Sequence, residues 1–277
     1  MRFIGTGDVT YILLSGIEVA DTIRLSDNVE LHTADASHLD LHTTLSACSH
    51  PDDIAVAAAF IPRITAQFRV TAANPKELAV AAWNSAWDAL LLSAFFRTEI
   101  GFNLQCNTAA QEIGAESTLC ATNLGMRGLT NSPPHKVTDE ESRWITDNHA
   151  NAWRLLDNER FQNAVHCLAT YPWHTMGRVQ MAILWAGIEG MFGVTTEIKF
   201  RLSLYIARFL QPDNVEKRKA IFDSMKKLYN SRSAAVHGSK IKGDTSSFVD
   251  QSADILCKLL RKCAEANAMP DERKLVP

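Results

Sequence analysis

The chain has 277 residues, is 46% hydrophobic and 21% charged, and carries a formal net charge of −3. That much apolar sequence excludes a disordered chain and supports a packed core in one large or two ordinary domains. Bulk charge excludes nucleic-acid binding by overall basicity, so any such role has to be local.

In chain order, the first ~130 residues read as a mixed α/β domain. Thr10–Ser15 is a short apolar run. Ile23-Arg-Leu and Val29-Glu-Leu flank Ser-Asp-Asn and predict a hairpin. From Pro62 to Ala72, Ile64, Ala66, Phe68 and Val70 alternate with Arg63, Thr65, Gln67 and Arg69, the period of a half-buried strand. Asn74-Pro-Lys-Glu77 predicts a helix start, with Asn74 as N-cap and Pro75 in the first turn, running to about Phe96. Gly101–Cys106 reads as a further strand. Asn131-Ser-Pro-Pro-His-Lys136 suits a linker, because two prolines cannot continue a helix. Thr138-Asp-Glu-Glu141 then opens a second, all-helical domain over 138–277. Its helices are predicted at 139–148, 149–170, 175–192, 197–210, 215–237 and 247–267. The overall class is α+β.

Cys48, Cys106, Cys120, Cys167, Cys257 and Cys263 form no C-x-x-C pair and no zinc-ligand spacing. Lying among apolar residues, they are expected as reduced, mostly buried thiols of a cytoplasmic protein. The start, Met-Arg-Phe-Ile-Gly-Thr-Gly-Asp, is not expected to be a signal peptide, since Asp8 and the glycines interrupt any apolar core. Its Gly-x-Gly lacks a third glycine and a preceding strand, which argues against a dinucleotide site. The apolar stretches at 54–61 and 89–96 are short for a membrane span, so no membrane partner is expected. His38 and His42 stand four apart, near His32, Asp35, Asp40, Cys48 and His50. On a helix they could share a metal, but the surrounding Thr, Ser and Ala suit a loop, and neither metal nor cofactor is expected. His149, His166 and His174 are expected in packing or surface roles, and the six tryptophans mainly in the core.

The chemistry concentrates in Leu228-Tyr-Asn-Ser-Arg-Ser-Ala-Ala-Val-His-Gly-Ser239. Ile221, Met225, Leu228, Tyr229, Arg232 and Val236 share one helical face, which puts Arg232 on an apolar seam. A buried guanidinium needs a partner. Glu189, in Leu184-Trp-Ala-Gly-Ile-Glu-Gly-Met-Phe192, is also set in an apolar stripe and is the expected partner. Their bridge would orient the guanidinium toward a phosphate or simply hold two helices together. His237 ends the helix before Gly238, where it either caps the helix or transfers a proton near neutral pH. Between 217 and 242, eight basic residues face the single Asp223, a local footprint for a polyanion. Lys226, Lys227, Lys240 and Lys242 are the expected contacts for that polyanion.

Arg232-x4-His237-Gly238, preceded by Leu-Trp-x-x-x-Glu-x-x-Phe, resembles the Arg-x(4–6)-His motif of the HEPN superfamily and is similar to its Apea-like group. The resemblance covers about residues 140–267, roughly half the chain. It implies an antiparallel helical domain, usually a homodimer with two motifs facing each other. Many members are metal-independent endoribonucleases of toxin and anti-phage defence systems. Others bind nucleotide, RNA or a partner protein without cutting. In the cutting mode Arg232, His237, Glu189 and Ser233 would form the catalytic set. Ser233 stands where active members often carry Asn, Asp or His. The first domain would then sense a signal, bind a small molecule or regulatory protein, or restrain the nuclease.

Overall fold

The computed structural model describes residues 5–124, 129 and 132–275. The fold is α+β, with two compact units: residues 1–92 with 98–150, and residues 93–97 with 151–277. Arg2–Ile4 of the glycine-containing start, and Asn131 of the expected linker, lie outside the described residues.

The first unit begins with β1 (Val9–Ser15), β2 (Ile17–Glu18), β3 (Ile23–Arg24) and β4 (Val29–Thr33). Next come α1 (Leu41–Ala47), α2 (Pro51–Phe60), β5 (Ile64–Thr71) and α3 (Pro75–Phe96). β6 (Gly101–Cys106), β7 (Leu119–Ala121), β8 (His135–Lys136) and α4 (Asp139–Leu155) follow. Six strands form an antiparallel sheet in the order β3-β4-β5-β1-β6-β7. The hairpin pairs Ile23 with Leu31.

In β5, Ile64, Ala66, Phe68 and Val70 are buried as their alternation requires. Gln67 is buried too, on the opposite face. Its amide stays satisfied by accepting from the Ala110 N–H at 2.8 Å and donating to the Thr33 carbonyl at 3.2 Å. β1 is buried continuously from Ile12 to Ser15, the mark of a strand covered on both faces. One covering cluster joins Leu13 and Leu104 to Val56, Ala57 and Phe60 of α2. α1 and α2 were not foreseen; Asp40 and His50 cap them by accepting from the N–H groups of Thr43 and Asp52.

α3 starts as its cap predicts, Asn74 accepting from the Glu77 N–H at 3.0 Å. By length and composition it is long enough and apolar enough to cross a membrane, unlike the short stretch read at 89–96. Just over half of its most apolar window is buried inside the protein. It also carries buried Asp88, whose carboxylate lies 2.8 Å from His149 Nε2. Trp83 is exposed, against its expected core role, and among the tryptophans Trp185 alone is fully buried.

The Pro133–Pro134 segment differs from a free linker. Directly after it, β8 pairs in parallel with β2, and the His135 N–H donates to the Gly16 carbonyl at 3.0 Å. Thr138 and Glu141 then cap α4 reciprocally: each accepts from the other's backbone N–H.

The second unit contains α5 (Glu159–Thr170), α6 (Gly177–Phe192), α7 (Ile198–Leu210), α8 (Val215–Val236), α9 (Thr245–Ala266) and α10 (Glu272–Leu275). The expected break at 148–149 falls instead before Asn158, which caps α5 by accepting from the Arg160 N–H. α6 is central, packing on α5, α8 and α9, while α7 packs on α8. Gly187 permits a close approach on two sides: a Cβ there would lie 3.0 Å from both Cys167 Cβ and Leu256 Cδ2. Leu184, Trp185, Ile188, Phe192, Leu228, Leu256 and Leu260 form much of this core.

All six cysteines are free thiols, with Cys48 half-buried and the others buried. Burial pushes Cys48 and Cys257 up to about 11 and Cys263 to about 12, which keeps them protonated.

Candidate functional site

Arg232 projects from α8 toward α6, and its guanidinium donates to Glu189 Oε2 at 2.8 Å. The side chains are 20% and 25% exposed, so the pair is screened from most of the solvent without being sealed. One turn earlier on α8, the Tyr229 ring lies 5.6 Å beneath the guanidinium carbon. Tyr229 in turn meets Trp185 of α6 edge-on at 5.5 Å, and the Trp185 indole donates to Ser252 Oγ on α9 at 3.1 Å. Four side chains from three helices thus fix where the guanidinium sits.

The pair is incompletely satisfied. Arg232 Nε and Glu189 Oε1 are buried with no hydrogen-bond partner among the described residues. Burial holds the Glu189 carboxyl above its ordinary range, and the adjacent Arg232 charge opposes that shift. A guanidinium has five N–H donors, and in a side chain one-fifth exposed the bond to Glu189 leaves donors for an anionic group.

His237 is the C-cap of α8, and its N–H donates to the Ser233 carbonyl at 3.0 Å. Gly238 takes the left-handed turn after it, at φ +71°. The imidazole is exposed, as is Val236, which was expected on the apolar seam. Ser233 is half-buried, and its hydroxyl makes no hydrogen bond among the described residues. Five residues of α-helix turn about 500°, so Arg232 and His237 point roughly 140° apart. One chain therefore joins Arg232 to Glu189 but does not bring His237 to them.

Three of the four expected lysines do converge. Lys227, Lys240 and Lys242 line a groove of about 430 Å³ with Asn230, Ser231, Ala234 and Phe248. Lys226 lies instead over the Phe222 ring, 5.1 Å from its centre.

Arg178 was not foreseen. It stands near the start of α6 and donates to the carbonyls of Ala234 at 3.0 Å, Ala235 at 3.4 Å and Ser239 at 2.8 Å. These acceptors bracket His237. A cation in the first turn is unfavourable for its own helix dipole, and that anomaly was the available signal. Its charge serves the C-terminal carbonyls of α8 instead.

His38 and His42 do not stack on a helix. His38 precedes the Asp40 cap of α1, and its Nε2 lies 3.2 Å from the Ile113 carbonyl. Among the described residues, no three His, Cys, Asp or Glu side chains gather as a metal site. In the first unit, a second groove of about 480 Å³ is lined by Asn28, Asn74, Asn84, Lys76, Glu77 and Val80, among others.

Comparison with protein-family models, with curated proteins and with solved structures finds no match to this chain.

Proposed function

We propose that the second unit is a HEPN-type helical domain that cuts RNA without a metal, as a cytoplasmic homodimer in a toxin or anti-phage setting. The observation that carries this reading is Arg232, held at 2.8 Å by Glu189 with donors left for an anionic group, on the same helix as a freely exposed His237. Their divergence of roughly 140° around the helix favours a composite site, in which a second copy brings its own motif to the same phosphate. The first unit, with its Asn-lined groove, would take a small-molecule signal or a regulatory protein.

The reaction follows from the two groups. The RNA 2′-oxygen attacks the adjacent phosphorus, and the bond to the 5′-oxygen breaks, leaving a 2′,3′-cyclic phosphate and a 5′-hydroxyl. His237 takes the 2′-hydroxyl proton as general base, or returns one to the departing 5′-oxygen as general acid. Arg232 stabilises the charge that grows on the phosphorane oxygens. Glu189 orients the guanidinium. Ser233, with an uncommitted hydroxyl, adds a hydrogen bond to the substrate.

A second reading is a HEPN-like module that binds RNA, nucleotide or protein without cutting. The separation of the lysine groove from Arg232 favours it. The two are told apart by incubating wild-type and His237→Ala protein with single-stranded and transfer RNA and analysing product ends. Cyclic-phosphate ends from the wild type alone support the nuclease. Intact RNA with both proteins supports the binding module.

A further inference from the structure

We propose that the groove between α8 and the 239–243 loop holds one nucleotide of single-stranded RNA, its phosphate on Lys227, Lys240 and Lys242 and its base against Phe248. This deepens the reading of the second unit as an RNA-acting domain and rests on it.

Charge is the first argument. The groove is lined by three lysines and no carboxylate, in a chain of net charge −3. None of the three forms an ion pair among the described residues, and neither does Asp223, one turn before Lys227. Three unpaired ammoniums around one groove repel each other, and a bound phosphate turns that repulsion into attraction.

Shape and chemistry come next. A volume of about 430 Å³ falls within the usual range of small-ligand sites. Half-buried Phe248 offers an aromatic surface, which stacks on any base. The Asn230 amide makes no hydrogen bond among the described residues. Ser231 Oγ makes a single long bond of 3.5 Å to the Lys227 carbonyl. Both remain free to meet a base edge.

The groove is also built rather than incidental. Arg178 fixes the loop's beginning through the Ser239 carbonyl. Gly243 fixes its end at φ +115°, packed so closely on the Phe248 ring that a Cβ would lie 2.9 Å from Cζ. Asp244 then caps α9 by accepting from the N–H groups of Ser246 and Ser247. Between the two exposed lysines, Ile241 is half-buried.

Position links the groove to the chemistry. Seven residues separate Asn230 from His237, which places them within about 20° of each other around α8 and roughly 10 Å apart along it. A strand leaving the groove along this face runs toward His237 and away from the Arg232 of the same chain.

The test uses full-length His237→Ala protein, which leaves RNA uncut, and a labelled oligouridine followed by fluorescence anisotropy across a salt series. Lys227→Ala/Lys240→Ala/Lys242→Ala is expected to weaken binding at least about tenfold and to flatten the salt slope by about 0.7, the share of one phosphate on a single strand. Phe248→Leu is expected to weaken it about fivefold with the slope unchanged. Circular dichroism confirms that both variants are folded. Competition separates the sources of phosphate: uridine monophosphate displacing the strand better than inorganic phosphate supports the base contact, and equal displacement overturns it. Unchanged affinity and slope in the triple lysine variant overturn the site. If RNA binds through these lysines but the wild type never cuts, the site stands and the nuclease reading falls. If the wild type cuts while the triple variant binds normally, the reverse holds.

Discussion

Arg178 donates to the Ser239 carbonyl at 2.8 Å, two residues beyond His237, while also holding the Ala234 carbonyl three residues before it. The last carbonyls of a helix have no partner within it, and a cation there is doubly favourable. One side chain of α6 therefore sets the end of α8, the turn at Gly238 and the place of the imidazole. On the proposed reading of His237, Arg178 acts through it as a positioning residue.

Replacing Arg178 with alanine should lower stability by about 2 kcal/mol, because charge-assisted bonds at a partly exposed site are lost. On the nuclease reading it should also reduce the turnover of RNA cleavage, and, because Arg178 anchors the loop of the lysine groove, it should weaken RNA binding. Arg178→Lys should recover only part of this, since one ammonium cannot span the same three carbonyls. Turnover and affinity measured separately check the claim. A variant with unchanged turnover removes the positioning role.

The Arg232–Glu189 bridge makes a prediction that holds with or without catalysis. Removing either partner strands the other in a site about three-quarters shielded. Fully buried pairs broken from one side cost about 3–5 kcal/mol, and the remaining exposure brings the expectation here to about 2–3 kcal/mol. The Arg232→Ala/Glu189→Ala double variant should be less destabilised than the sum of the single ones. The pH dependence has a definite sign. Burial raises the Glu189 carboxyl in the fold, so the folded state binds its proton more readily than the unfolded chain does. Its contribution to stability is complete below the ordinary carboxyl pKa of ~4.3 and diminishes as pH rises through the folded value. Glu189→Gln should remove that decline, and urea titrations over a pH series measure it. An unaltered pH profile in Glu189→Gln would falsify the assignment.

This bridge was legible in the sequence because each partner interrupts an apolar stripe, and a charge on a buried face needs an opposite one. Asn74 and Thr138 were legible as helix starts for a similar local reason. What periodicity could not supply was the neighbour. Arg178 looks like an ordinary polar residue until the end of α8 is brought beside it. Phe248 gives no sign in the chain that it faces Lys227, twenty-one residues earlier. The Pro133–Pro134 segment has a linker's composition, and its pairing with β2 depends on a partner more than a hundred residues away. The break placed at 148–149 fell at Asn158, where a local cap outweighed a pattern that allowed either.

Asp88 and His149 form the second buried ionisable pair, 2.8 Å apart and nearly free of solvent, and neither partner was foreseen from the other. The opposite ring nitrogen, Nδ1, donates to the Leu25 carbonyl at 2.9 Å, which fixes the imidazole's orientation. Burial pushes the Asp88 carboxyl upward, and its hydrogen bond to His149 works against that. His149→Ala should destabilise the first unit by about 3–5 kcal/mol, leaving a buried acid without its partner. Asp88→Asn, which keeps a hydrogen-bonding group of the same shape, should cost less. Denaturant midpoints of the two variants decide the matter, and a His149→Ala loss below about 1 kcal/mol would show that the pair is dispensable.

Gly243 tests whether the loop before α9 is built for its groove. Its φ of +115° lies where side chains are disfavoured, and any Cβ would press on the Phe248 ring. Gly243→Ala is therefore expected to cost about 1–3 kcal/mol in backbone strain and to displace Phe248. Pairing it with Phe248→Ala should relieve the contact but not the strain, so the double variant should remain less stable than Phe248→Ala alone. Gly114 provides the control: a Cβ there meets nothing within 4 Å and its φ lies outside the left-handed region, so Gly114→Ala should be close to neutral. RNA affinity adds an independent readout. Gly243→Ala should weaken binding as Phe248→Leu does, with the salt slope unchanged, because a displaced ring alters stacking and leaves Lys227, Lys240 and Lys242 in place. A Gly243→Ala protein of wild-type stability and affinity would mean that the loop conforms to its glycine without shaping the groove.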